Sequence, residues 1–85
     1  KAMKIVGYRR ADFAGEDGKN VTGNNIYIAN EINPGYGAGV SVDRSYLTDR
    51  KCEREGIDLA AMLGKEVKVY YNRYGKIDSI VPADD

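Results

Sequence analysis

The sequence contains no histidine and no tryptophan, and only one cysteine among its 85 residues. Histidine is the side chain most often used as a general base, and it also completes the serine and cysteine triads and the HExxH type of metal site. Its absence removes most enzyme mechanisms. A lone cysteine, Cys52, cannot form an internal disulfide, and no cluster of Cys and His exists to hold zinc or iron. We therefore expect no enzymatic activity, no metal and no small-molecule cofactor.

Long apolar runs and an excess of charge of one sign are also missing. No run approaches the roughly 18 residues that a membrane span requires, and 13 basic residues balance 13 acidic ones. The absence of a basic-then-apolar leader predicts a cytoplasmic protein with no membrane association. A chain this short has room for one core, so we expect a single domain over residues 1–85. We expect the adjacent carboxylates of Asp84 and Asp85 to be frayed at the chain end.

The sequence does contain short β-rich segments separated by turn residues. Alternation of apolar and polar residues predicts strands over 3–10, 25–32, 40–47, 67–72 and 77–81. In the first strand, alternation places Met3, Ile5 and Gly7 on one face and Lys4, Val6, Tyr8 and Arg10 on the other. In the last strand, Ile77, Ser79 and Val81 alternate with Asp78 and Ile80.

Turn and cap signals lie between these strands. Asp17-Gly18 is a tight-turn signal after the first strand, and a connector rich in glycine follows the second over 33–39. Arg73-Tyr74-Gly75 has the form of a three-residue hairpin loop. Thr48 or Asp49 is suited to cap a short helix over 49–55 that ends at Gly56, and a second helical turn follows over 58–63.

Five short strands with a helical insert between the third and fourth predict a mostly β protein. The pattern is typical of a small OB-like Greek-key barrel, and an SH3-like barrel is the alternative. Cys52 falls within the predicted helix, where we expect it to pack against the barrel without chemical function. Because a domain near the lower size limit gains from burying an interface, we also expect a homodimer.

Aromatic and basic residues alternate along the strands and loops. Single-stranded nucleic acid needs this combination, because bases stack on rings while the backbone follows cations. The predicted contact residues are Tyr8, Arg10, Lys19, Tyr36, Arg44, Tyr46, Lys68, Tyr70, Arg73, Tyr74 and Lys76. Tyrosine is also favoured in protein interfaces, so a small β-barrel module that binds another protein, and no nucleic acid, is the alternative.

Three features resemble the gene-five-type helix-destabilising proteins of filamentous phages: Gly18-Lys19 in the first hairpin, Tyr36 after the second strand, and Tyr74-Gly75 in the final hairpin. The resemblance covers most of the chain loosely. That family coats single-stranded DNA as OB-fold homodimers, so the resemblance implies DNA binding and a phage or mobile-element origin. Single-stranded RNA is the other possible partner. It further implies a DNA-binding hairpin, a base-stacking loop and a dimer-associated loop that reaches DNA on a neighbouring subunit. The chain departs from the family at 20–22, where an aromatic is missing, and at the longer, more charged insert over 49–63.

Overall fold

A computed structural model describes residues 3–83, so the prediction for Asp84 and Asp85 lies outside the described residues. The protein is mostly β, with 52% strand and 14% helix, as the sequence predicts. No helix of the described residues is long and apolar enough to cross a membrane. The elements in chain order are β1 (Met3–Arg10), β2 (Phe13–Ala14), β3 (Asn20–Val21), β4 (Gly23–Glu31), β5 (Val40–Thr48), α1 (Asp49–Glu55), α2 (Leu59–Met62), β6 (Glu66–Tyr71) and β7 (Ile77–Pro82).

Five strands form one antiparallel sheet in the order β5-β4-β1-β6-β7, and β2 and β3 form a separate small hairpin. Strand β1 pairs with β4 along most of its length, but it pairs with β6 only at Met3 and Lys4. The edge strands β5 and β7 come near each other without a strand pairing in the part of the chain described. The barrel expected from the sequence is therefore not closed, because its two edge strands, β5 and β7, do not pair with each other.

Simple alternation assigns the wrong faces to the second half of β1, because this strand contains a β-bulge. The register shifts at Val6, so Tyr8 pairs with Ile26 and shares the face of Ile5. A bulge inserts one extra residue into a strand and reverses the alternation beyond that point. Tyr8 and Arg10 therefore lie on the same face as the core, opposite to their predicted side.

The prediction that Ile77 and Ile80 lie on opposite faces of β7 is wrong, because this strand contains a second bulge. Tyr70 pairs with Ser79 and Tyr71 pairs with Ile77, which leaves Asp78 as the extra residue. Ile77 and Ile80 are consequently both buried, at 3% and 2% exposed. The bulge thus adds an isoleucine to the core that strict alternation would have turned outward.

The core lies between one face of the sheet and the helical segment. Its members are buried apolar side chains from every long element except α1: Ile5, Ile26, Ile28, Leu47, Ile57, Leu59, Met62, Val67, Ile77 and Ile80. Each such side chain stabilises the fold by about 1.5–3 kcal/mol relative to an exposed one. Cys52 packs against this cluster from α1, and burial raises the pKa of its thiol, which keeps it protonated.

Capping residues fix both helices where the sequence predicts them. The Thr48 hydroxyl accepts a hydrogen bond from the Lys51 N–H, and Gly56 ends α1 in the left-handed conformation at φ 68°. The Asp58 side chain accepts from the Ala61 N–H at the start of α2. Because Thr48 is also the last residue of β5, the helix begins directly at the end of that strand.

Candidate nucleic-acid interface

An open groove of about 470 Å³ runs beside the second half of β5. The β2–β3 hairpin contributes Phe13 and Val21 to its lining, and residues 44–48 of β5 and 75–77 of the final hairpin contribute the rest, together with Lys51 of α1. Three parts of the chain that are distant in sequence therefore meet along one surface.

Two aromatic rings meet at one end of the groove. The rings of Phe13 and Tyr46 lie 5.4 Å apart between centroids and are tilted by 54°. The Tyr46 hydroxyl donates to the Ala11 carbonyl oxygen at 2.8 Å, and burial raises the pKa of this hydroxyl. Phe13, by contrast, is 52% exposed. Tyr46 is therefore an anchored support, and Phe13 is the ring that a ligand can contact.

Gly23 makes this aromatic pair possible. A Cβ added to this buried residue would lie 2.5 Å from the Leu47 carbonyl oxygen and 2.8 Å from the Tyr46 hydroxyl oxygen. Real Cβ atoms essentially never come that close to other atoms. Only glycine therefore lets β4 begin here while Tyr46 crosses over it to reach Ala11.

Arg10 joins the base of the β2–β3 hairpin to the start of α1. Its guanidinium donates to both carboxylate oxygens of Asp49, at 2.9 and 2.6 Å, and it also pairs with Asp12 at 3.1 Å. The hydrogen bond from Arg10 lowers the pKa of Asp49, with a further contribution from Thr22. Although Arg10 is a predicted nucleic-acid contact, its donors are directed at carboxylates, which gives it a structural role.

The final hairpin presents a cation and a ring together. The Asn72 side-chain oxygen accepts from the N–H groups of Tyr74 and Lys76, which fixes the turn. At the tip, Arg73 donates to the Tyr74 hydroxyl at 2.9 Å, and its guanidinium carbon lies 5.1 Å from the ring centroid. Tyr74 is 71% exposed, so one face of its ring contacts Arg73 and the rest is open.

Several cations around the groove are not engaged by carboxylates. Lys51 is engaged, since its Nζ donates to the Ile77 carbonyl oxygen at 3.0 Å and lies 3.9 Å from Asp78. Within residues 3–83, no carboxylate oxygen lies within 4.0 Å of the charged groups of Lys19, Arg44, Arg73 or Lys76. These four cations can therefore approach a phosphate without first breaking an ion pair among the described residues.

The structure brings together some of the predicted contacts and separates others. Arg44, Tyr46 and Lys76 line the groove. Lys19, Arg73 and Tyr74 lie in the turns of the two hairpins that flank it. Sequence reasoning missed Phe13, whose signal is a phenylalanine next to a polar turn, where there is little core to fill.

The other predicted contacts lie outside the groove. Lys68 and Tyr70 share the exposed face of β6, and Tyr8 is 40% exposed on the face of the sheet that carries the core. Tyr36 is 92% exposed in the loop between β4 and β5. That loop precedes Val40, which lies six residues, or roughly 20 Å, before Tyr46 along β5, so Tyr36 is outside the groove lining.

Comparison of the chain with protein-family models, with curated proteins and with solved structures finds no match. Within residues 3–83, no group of three or more His, Cys, Asp or Glu side chains is arranged to hold a metal ion. The groove and its side chains are therefore the features of this protein that bear on its function.

Proposed function

We propose that the protein binds single-stranded DNA, without catalysis, in the groove between its two hairpins. The observation that carries this proposal is the half-exposed Phe13 ring on its Tyr46 support, in the same groove lining as Arg44 and Lys76. Every base has a face that stacks on an aromatic ring, while cations along a groove neutralise the phosphates. The formal net charge of zero favours a local binding surface over attraction by the whole molecule.

The strand order supports an OB fold as the framework of this proposal. Among the strands of the large sheet, β1, β4 and β5 follow one another along the chain and pair in that order, and β6 returns to lie beside β1, which is the arrangement of a Greek key. An OB fold is a partly open five-stranded barrel that binds oligonucleotides on its second and third strands and on the loops after its first and fourth strands. Here those parts are β4–β5, the β2–β3 hairpin and the loop at 73–76. Of these, β5, the hairpin and the loop contribute residues to the lining of the groove.

A protein-interaction module is the second candidate, and a specific observation favours it. Val40 and Val42 are 61% and 53% exposed on β5, an edge strand. Exposed edges and apolar side chains can receive a strand from another protein. Binding of this kind depends little on salt, whereas DNA binding falls steeply with it.

A titration with fluorescent oligo-dT at two or more salt concentrations separates the two candidates. We expect the logarithm of the binding constant to fall linearly with the logarithm of the salt concentration, with a slope of about 0.7 for each phosphate contacted. Stacking on tyrosine should also quench the intrinsic tyrosine emission. Absence of binding at low salt would refute the DNA proposal, and salt-independent binding would favour recognition through apolar contacts.

Phe13→Ala tests whether the groove is the binding surface. The loss of one stacked base should weaken oligo-dT binding by about 1–3 kcal/mol, with the salt slope nearly unchanged. Leu63→Ala is the matched control, because Leu63 is comparably exposed at 45% but lies after α2, outside the groove lining. Equal affinities of the two variants would show that Phe13 is not part of the binding surface.

A further inference from the structure

The first half of β5 is open on both faces and along its edge. Strand β5 is the first strand in the order of the sheet, and all five residues from Val40 to Arg44 are exposed. No register shift interrupts the β4–β5 pairing, and the segment contains no proline. A regular, unprotected edge of this kind is a template for pairing with another strand.

Backbone hydrogen bonds identify which groups of this edge are free. At one end of the β4–β5 ladder, the Ile32 N–H donates to the Gly39 carbonyl oxygen at 2.9 Å. At the other end, the Asp49 N–H donates to the Thr22 carbonyl oxygen, also at 2.9 Å. Hydrogen-bonded pairs alternate along an antiparallel ladder, so the odd-numbered residues of β5 bond to β4. The N–H and C=O groups that point away from the sheet are those of Val40, Val42 and Arg44.

We propose that a second copy of this chain pairs antiparallel with this edge about a twofold axis at Val42, and that each copy thereby places its Tyr36 at the groove of the other. A twofold axis normal to the sheet keeps each face continuous, so residues of the same face must pair. The register centred on Val42 pairs Val42 with itself, Ser41 with Asp43, and Val40 with Arg44. It forms about six backbone hydrogen bonds, all from the free groups.

Charge and backbone conformation favour this register over the two neighbouring ones. A register centred on Asp43 would set two carboxylates directly opposite each other, which is destabilising. A register centred on Ser41 would set Asp43 opposite Gly39, whose φ of 93° places it outside the strand. In the register centred on Val42, the Ser41 hydroxyl of one copy can donate to the Asp43 carboxylate of the other.

An ion pair between the copies becomes possible on the other face of the sheet. Glu31 is the cross-strand neighbour of Val40 within one chain. In the proposed register, Arg44 of the second copy lies on the opposite side of the same Val40. Two strand spacings, about 9.6 Å, then separate the Cα atoms of Glu31 and Arg44, and these two long side chains can meet across the valine. The twofold axis repeats this contact.

The register also explains the position of Tyr36, and this step rests on the proposed DNA-binding function. In the proposed register, Val40 of the second copy lies beside Arg44 of the first copy. The residues that precede Val40 in the second copy therefore continue towards Tyr46 of the first copy. The loop at 33–39 of the second copy therefore extends towards the groove of the first. A tyrosine that is 92% exposed and distant from its own groove thus becomes a stacking residue for its partner.

Disulfide trapping tests the strand pairing without DNA. In a Cys52→Ala background, chains carrying Ser41→Cys are mixed with chains carrying Asp43→Cys under mild oxidation. Non-hydrogen-bonded partners have Cα atoms about 4.5 Å apart, within disulfide range, so the mixture should form a covalent heterodimer. Each variant alone should remain monomeric on a non-reducing gel. Self-crosslinking of Asp43→Cys or of Ser41→Cys would show a different register, and no crosslink in the mixture would overturn the proposal.

Sedimentation of the unmodified chain gives an independent test. Five residue pairs bury less than a standard interface of about 1,600 Å², so we expect a dimer that dissociates on dilution. Val42→Pro removes an N–H that points away from β4, a position that an edge strand tolerates. The variant should keep the melting transition of the wild-type monomer and stay monomeric at every concentration. A folded Val42→Pro chain that dimerises like the wild type would contradict the pairing.

The contribution of Tyr36 is tested by combining variants and titrating with oligo-dT. Tyr36→Ala should weaken binding by about five- to 150-fold in the wild-type background, as expected for one stacked base. In the Val42→Pro background it should have almost no effect, because no second copy supplies the ring. An equal loss of oligo-dT affinity in both backgrounds would mean that Tyr36 contacts the DNA bound to its own chain, and it would refute this step. Should oligo-dT fail to bind at all, the DNA proposal fails while the crosslinking result still decides the strand pairing.

Discussion

Removing the Tyr74 ring and the Arg73 guanidinium, first separately and then together, tests whether the final hairpin contacts DNA. The two side chains are in contact at the tip of the hairpin, through a hydrogen bond of 2.9 Å and a guanidinium placed 5.1 Å from the ring centroid. Asn72 holds the turn beneath them. Substitution of either side chain therefore leaves the backbone of the turn supported.

The expected magnitudes follow from the two kinds of contact. Tyr74→Ala should weaken oligo-dT binding by about 1–3 kcal/mol and leave the salt slope nearly unchanged. Arg73→Ala should lower the slope by about 0.7, the value for one phosphate on a single strand. An exposed cation–π contact contributes about 0.5–1 kcal/mol, so in the free energy of unfolding the double variant should lose less than the sum of the single losses by about that amount.

The assay is a fluorescence titration at several salt concentrations, with a melting curve for each variant. Tyr74→Phe keeps the ring and removes the hydroxyl, and Lys65→Ala removes a cation at the far end of β6. Neither control should change the affinity by more than a small factor. Wild-type affinity in both Tyr74→Ala and Arg73→Ala, with a lowered melting temperature, would mean that the pair only stabilises the turn. That result would remove the hairpin from the site and favour the protein-interaction candidate.

Three further predictions concern stability. Thr48→Ala removes the N-cap hydrogen bond of α1 and should cost about 1 kcal/mol, a fall of about 4–8 °C in melting temperature. Gly23→Ala forces a Cβ against backbone atoms and should lower the free energy of unfolding, measured by urea titration, by about 3 kcal/mol or more. Gly7→Ala is the control and should lower it far less, because the nearest neighbour of the added Cβ would be a side-chain atom at 3.8 Å. Because the pKa of Asp49 is lowered in the folded state, its pairing with Arg10 stabilises the protein above about pH 4 and is lost as the pH falls further. Asp49→Asn should therefore lower the melting temperature at pH 7, and this difference should shrink as the pH falls below about 4; a difference that stays the same over that range would refute the linkage.

Local signals predicted most of the secondary structure. The Thr48 cap, the Gly56 stop and the glycine-rich loop at 33–39 depend on residues adjacent in the chain, and all three lie where the sequence predicts them. The bulges at Val6 and Asp78 were not predicted. A bulge is a property of a strand and its partner together, so alternation within one strand cannot reveal it.

The site was less predictable because its parts meet only in the folded chain. Arg10 and Asp49 are 39 positions apart, and nothing next to Arg10 indicates that its guanidinium is paired. Phe13 was missed for a similar reason, since its exposure depends on Tyr46 filling the space behind it. Barrel closure likewise depends on whether the edge strands β5 and β7 pair, which the pattern within each strand does not encode.

The direct passage from β5 into α1 determines where this protein can accept a change of length. Thr48 is at once the last residue of the strand and the cap of the helix, so no linker absorbs an inserted residue. One insertion after Thr48 would turn the helix by about 100° and move Asp49 and Lys51 away from Arg10 and the Ile77 carbonyl together. Peptide tags and natural insertions therefore belong away from this junction, which should keep its length in every variant that folds.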